Sequence, residues 1–174
     1  ADVENGDILP AIYSFDYPHA VMTELGGRQL PHGYALQHPK DYIDALDFLI
    51  NDLLKNNTVA QNSIIGIGID FTDCTVLPVN EDNIPLCFFE EYKREPHAYA
   101  KIWKHHTSEE YAQKIEQIAL EYDASILSVT GGKMTSEFLI PKLYETFCEA
   151  PRLYKDTHKF VLAGDFIASL LTEN

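Results

Sequence analysis

The run Ser63-Ile-Ile-Gly-Ile-Gly-Ile69 constrains this chain more than any other segment, because it has strand length, is almost wholly apolar and shows no period-two alternation. A strand with one wet face alternates, whereas one without alternation is expected where both faces are covered. The run therefore predicts the middle of a sheet with layers on both sides. It ends in Asp70-Phe71-Thr72-Asp73-Cys74-Thr75, a cluster of short polar side chains at the carboxyl end of the predicted strand, where sheets of this class collect ligands. The same residues also suit a plain polar turn, and the pattern alone leaves both readings open.

Helical and extended patterns alternate around that run. Asn5-Gly6 is a hairpin turn signal and Ile8 to Tyr17 reads as a strand after it, although only four residues precede the turn. That imbalance suggests that the first strand of the fold is absent from the chain. A Gly-, Pro- and His-rich loop spans His19 to His38. Pro39 then opens a helix to about Lys55, with Tyr42, Leu46, Leu49, Ile50 and Leu53 on one face, Asp41, Asp44, Asp47 and Asp52 mostly on the other, and Asn56-Asn57 as the stop. Cys74–Val79 and Ile84–Phe88 flank a second turn signal at Asn80-Glu81-Asp82-Asn83. Thr107 with Glu110 reads as a capping box for a helix carrying Tyr111, Ile115, Ile118, Ala119 and Tyr122. A further helix holds Pro141 in its first turn and ends by Pro151. A strand over Phe160–Ala163 and a helix capped by Asp165 close the chain. The layout is α/β with antiparallel hairpins.

At 174 residues there is room for one domain with a sizeable core. The 27 acidic against 13 basic side chains give a net charge of −14, which repels phosphate backbones and anionic lipid, and the densest basic cluster is only Lys101, Lys104, His105 and His106. Neither nucleic acid nor membrane is expected as a partner, and the cytoplasm is the expected location. Cys74, Cys87 and Cys148 lie far apart without a C-x-x-C pair and are expected to be reduced.

Two nucleotide motifs fail on inspection. Gly66-x-Gly68 has Phe71 where a dinucleotide fingerprint needs its third glycine, which leaves the two glycines as places for close approach to a central strand. Gly132-Lys133 lacks the phosphate loop's glycine at Leu127 and its hydroxyl at Met134. Adjacent His105 and His106 point apart on a regular element and have no partner at ligand spacing, so no metal site is assigned to them.

Taken in order, Leu30-Pro-His-Gly-Tyr-Ala-Leu-Gln-His-Pro-Lys-Asp-Tyr42, Ile65-Gly-Ile-Gly-Ile-Asp-Phe-Thr72, Cys74-Thr75, Leu77-Pro78, Pro96-His-Ala-Tyr99, Trp103-Lys-His-His106, Gly131-Gly-Lys133, Ser136-Glu137, Ala163 and Asp165 resemble the FGGY carbohydrate kinase family, and within it the branch acting on L-ribulose. The resemblance covers nearly the whole chain. It implies a ribonuclease H-like, actin-like ATPase domain, with a mixed sheet flanked by helices and its first strand lacking. Residues 1–174 would form part of the N-terminal, sugar-binding domain, and a second domain binding most of the ATP would lie outside the chain.

The implied reaction moves the γ-phosphoryl of MgATP to the 5-hydroxyl of L-ribulose, with ATP and Mg as cofactors. No catalytic, nucleotide-binding or metal-binding residue of the family pattern falls in this chain, which alone is expected to be inactive. The residues that match sugar-contacting segments are Asp73, Cys74, Trp103, Lys104 and Glu137. Asp73 departs from the small residue usual at its position, and Phe138 stands where Trp is common. Another ketopentose or a pentitol as substrate, a non-catalytic sugar-binding or structural module, and assembly as a homodimer all stay open.

Overall fold

The computed structural model describes residues 1–8, 13–55 and 60–172. Its strands are β1 (Glu24–Leu25), β2 (Arg28–Gln29), β3 (Leu36–Gln37), β4 (Val76–Val79), β5 (Ala100–Lys101) and β6 (Lys159–Leu162). Its α-helices are α1 (Pro39–Lys55), α2 (Glu109–Tyr122), α3 (Leu139–Glu149), α4 (Pro151–Asp156) and α5 (Ala163–Thr172), and short 3-10 turns link several of them. Among the described residues no helix is long and apolar enough to cross a membrane.

Four strands form one sheet in the order β3-β5-β4-β6, every neighbouring pair antiparallel. All four residues of β4 are buried, and side chains of the sheet feed two apolar clusters. Leu36 and Tyr99 pack with Leu86, Tyr92 and Leu153, while Leu77, Val79 and Ala100 pack with Tyr42, Phe166 and Ile167. Pro78 is tolerated in this central strand because β5 pairs with β4 only at Val76↔Lys101, so that ladder has ended before the missing N–H is reached.

Helix α1 runs over the predicted residues, Pro39 to Lys55, and its stop at Asn56-Asn57 lies outside the described residues. Asp41, expected on the wet face, is buried at 1% exposure and accepts from His19 through both its backbone N–H (3.1 Å) and ring Nδ1 (2.6 Å). The Asn5-Gly6 turn forms, with Asp2 N–H bonded to Asp7 C=O at 2.8 Å and Gly6 at φ +79°. Part of the strand expected over Ile8 to Tyr17 lies outside the described residues, and Tyr13 to Tyr17 is not in a strand. The His19–His38 loop contains the β1–β2 hairpin, whose two-residue turn Gly26-Gly27 has φ +58° and +76°, the conformation glycine pairs supply.

The run Ser63–Ile69 is corrected. It pairs with no strand among the described residues, and Ile65 and Ile67 are 78% and 61% exposed. The doubly covered strand is instead β4, whose two neighbours and two flanking clusters do what was expected of the run. Gly66 and Gly68 face open space, so close approach does not explain them here. The second predicted hairpin closes by a bridge at Val79↔Pro85 and then turns into a 3-10 segment, Leu86–Phe88. Helix α5 begins at Ala163, which puts Asp165 in its first turn rather than at the cap.

Candidate functional site

Asp73 and Cys74 form the turn that leads into β4. Thr75, buried at 1%, anchors the turn from behind: its carbonyl accepts from the Ala163 N–H at 2.8 Å, and its hydroxyl lies 2.9 Å from that of Thr72. Cys74 has φ +55°, a left-handed conformation a non-glycine residue holds only when its surroundings enforce it. Two hydrogen bonds do so. The Cys74 N–H donates to Asp73 Oδ1 at 2.7 Å, and Lys142 Nζ donates to the Cys74 carbonyl at 2.7 Å. Burial and the adjacent Asp73 carboxylate push the Cys74 thiol pKa up, so Cys74 stays neutral.

Residues 69–74 and 162–165 enclose a cleft of about 360 Å³ that carries the carboxylates of Asp70, Asp73 and Asp165. Such a lining repels a bare phosphate and accepts hydrogen bonds from hydroxyls. Trp103, Lys104 and Glu137 are not among the residues lining this cleft.

Trp103 and Lys104 follow β5. Both are exposed, with Lys104 Nζ 5.0 Å from the indole centroid. Their loop is tied to the segment before β3, since the Ile102 N–H bonds Ala35 C=O at 3.2 Å and the His106 N–H bonds Gly33 C=O at 2.8 Å.

Behind that loop lies a buried polar network. Lys101 Nζ spends all three protons, on Glu145 Oε2 (2.6 Å), Thr146 Oγ1 (2.8 Å) and the Lys142 carbonyl (3.2 Å), the geometry of an ammonium. His105 Nδ1 accepts from the Ala35 N–H at 3.3 Å. The ring proton therefore sits on Nε2, which donates to Glu145 Oε2 at 2.9 Å and lies 2.8 Å from Thr107 Oγ1. Thr107 Oγ1 donates to Glu145 Oε1. Burial raises the Glu145 pKa, but the bonds from His105 and the Lys101 charge outweigh it and hold the carboxyl below the usual range. Burial draws His105 down and keeps it neutral.

The expected capping box at Thr107 and Glu110 is thereby corrected. The residue before α2 is Ser108, no side chain caps the helix, and Thr107 instead serves the network because its hydroxyl satisfies a buried carboxylate.

Glu137 is exposed in the turn before α3. Its neighbour Ser136 is buried and fixed by Glu109 Oε2 on its N–H (3.1 Å), by Ser108 Oγ on its carbonyl (3.1 Å), and by His106 Nδ1, 3.2 Å from its hydroxyl. Burial, joined by the Lys101 charge, lowers the Lys142 pKa to about 8 against the opposing pull of the nearby acidic groups.

The structure thus places Asp73 and Cys74 in one cleft. Lys142 ties that turn to the network whose Lys101 and His105 flank the loop bearing Trp103 and Lys104, while Glu137 is placed in the separate turn before α3, in neither the cleft nor the network. Sequence reasoning missed Lys101, His105, Lys142 and Glu145. The available signals were a lysine inside the apolar stretch Tyr99-Ala-Lys-Ile102, and Lys142 with Glu145 and Thr146 at i, i+3 and i+4 on one helix face.

No protein-family model matches the chain. A ribulokinase of Bacillus licheniformis is 43% identical over 173 residues, covering 98% of this chain and 31% of that protein. Ribulokinase 1 of Staphylococcus saprophyticus is 39% identical, over 99% of the chain and 32% of its own length. Among solved structures, a xyloylose kinase from Brucella ovis superposes with a TM-score of 0.64 at 18% identity, over 85% of this chain and 27% of that one. A gluconate kinase from Lactobacillus acidophilus reaches 0.59 at 19% identity, over 81% and 25%. The chain spans about a third of the length of the curated relatives it matches, and the fold is that of the sugar kinases.

Proposed function

The chain belongs to the FGGY carbohydrate kinase family, and from that premise we propose that it is most of the sugar-binding domain of an L-ribulokinase, which transfers the γ-phosphoryl of MgATP to the 5-hydroxyl of L-ribulose in the cytoplasm. The observation that carries this reading is similarity to ribulokinases along the whole chain, joined to an exposed indole beside a buried network that also holds the left-handed Asp73–Cys74 turn.

These are groups that grip a polyol. The Trp103 face suits the apolar C–H surface of a sugar, while the Asp73 and Glu137 carboxylates accept from hydroxyls. Positioning is the main contribution this part of a phosphoryl-transfer enzyme can make, because the chemistry is mostly alignment and charge stabilisation. Among the described residues no group of three or more His, Cys, Asp or Glu side chains is arranged to hold a metal ion. ATP and Mg²⁺ are the cofactors that the family reading implies for the full-length enzyme, and no step is routed through them here.

Asp73 bears on the choice of sugar. One of its carboxylate oxygens is engaged by the Cys74 N–H, so the side chain folds onto its own turn, while similarity to ribulokinases along the chain is what supports L-ribulose over a different ketopentose or a pentitol. Coupled-assay rates of the full-length protein on L-ribulose, D-ribulose, ribitol and xylulose test this. The highest kcat/KM is expected on L-ribulose, and a higher value on any of the others contradicts it.

A further inference from the structure

Lys142 is an unusual residue to find here. Its side chain is wholly buried at 0% exposure, yet it reaches from the first turn of α3 to the one carbonyl that sits in the strained turn, Cys74 C=O, at 2.7 Å. It also couples outward, since its own carbonyl accepts from both Lys101 Nζ (3.2 Å) and Thr146 Oγ1 (2.8 Å). The backbone of Lys142 is therefore clamped by the Lys101–Glu145–His105 network while its ammonium clamps Cys74. A left-handed Cys74 relaxes toward the ordinary right-handed or extended regions unless something holds its peptide planes, and the Lys142 donor holds the following one.

We propose that Lys142 is a positioning residue for sugar recognition: by donating to the Cys74 carbonyl it fixes the peptide orientation of the Asp73–Cys74 turn, and so sets the geometry with which that turn meets the substrate. The proposal rests on the reading of that turn as sugar-contacting. It does not require Lys142 to touch the sugar, and it assigns no role to Lys142 in nucleotide binding.

The test uses the full-length protein with Lys142→Met, which keeps the apolar stem and removes the donor, and Lys142→Arg, which restores a charged donor. Loss of a charge-assisted hydrogen bond predicts a rise of about tenfold in KM for the ketose in Lys142→Met, KM for ATP within about twofold, and partial recovery in Lys142→Arg. An unchanged ketose KM, or a parallel rise in both KM values, overturns the proposal. Should Lys142→Met fail to fold, Lys142→Leu, shorter and likewise without a donor, carries the same expectation of a selective rise in ketose KM.

Cys74→Asp separates the two levels of the argument. If it raises ketose KM while the Lys142 variants do not, the turn contacts sugar and the positioning role is wrong. If it leaves ketose KM unchanged, the sugar-contacting reading of the turn falls, and the Lys142 proposal with it.

Discussion

Lys101 Nζ and Glu145 Oε2 lie 2.6 Å apart, with the two side chains 3% and 0% exposed. This ion pair joins a strand of the sheet to the helix that also supplies Lys142, and His105 and Thr107 complete the coordination of the Glu145 carboxylate. A buried pair of this kind is costly to break from one side, because the remaining charge is left without a partner in a medium that solvates it poorly. Glu145→Leu should lower the unfolding free energy of the chain by about 3 kcal/mol or more, read from denaturant titration. Lys101→Met with Glu145→Leu should recover part of that loss, since no unpaired charge remains, although His105 and Thr107 lose their acceptor. A single variant within about 1 kcal/mol of the parent would show that the pair is not desolvated as described.

Buried histidines contribute to the acid limb of stability, beside the lowered Glu145 carboxyl. His97, 4% exposed, has Nδ1 without a hydrogen-bond partner among the described residues, and burial with the nearby Lys101 charge lowers its pKa to about 3. In the unfolded chain it protonates near the ordinary value of 6.5, so between these values the unfolded state binds more protons and stability rises with pH. Stability should therefore fall as pH drops below about 6.5, by up to about 1.4 kcal/mol per pH unit from this group, with His105 adding in the same direction. His97→Gln should flatten that limb. An unaltered slope in His97→Gln assigns the acid sensitivity elsewhere.

Gly33 has φ +96°, and a Cβ there would meet Thr107 Cγ2 at 3.2 Å. Its carbonyl also receives the His106 N–H, so the position ties the loop bearing Trp103 to the segment before β3. Gly33→Ala should cost about 1–3 kcal/mol through an unfavourable φ together with displacement of Thr107 from Glu145. Thermal unfolding measures it, and an unchanged midpoint would mean that the backbone relaxes without disturbing the network.

Much of the architecture was legible because it rests on local pattern. Helix α1 followed from Pro39 and the spacing of Tyr42, Leu46, Leu49 and Leu53, and the helix around Leu143 and Phe147 from Pro141. The run from Ile64 to Ile69 misled because covering both faces of a strand is a property of its neighbours; no neighbour among the described residues pairs with it, and β4 holds the central place. The hairpin at Gly26-Gly27 carried a readable signal that a loop rich in Pro and His obscured. The exposed candidates Asp73, Trp103, Lys104 and Glu137 came through family resemblance. The residues that hold them came through neither pattern nor resemblance: pairing Lys101 with Glu145 requires knowing that β5 lies against α3, a contact 44 residues apart in the chain.

The most direct measurement is the steady-state kinetics of Trp103→Ala in the full-length protein, varying ketose and ATP separately. Trp103 is 43% exposed, and among the described aromatic and cation contacts its ring meets only Lys104. The expected result is a rise of about tenfold or more in KM for L-ribulose with KM for ATP within about twofold, as loss of an aromatic contact to the sugar requires. An unchanged KM for L-ribulose, or a rise confined to ATP, would contradict the assignment of this surface to the sugar.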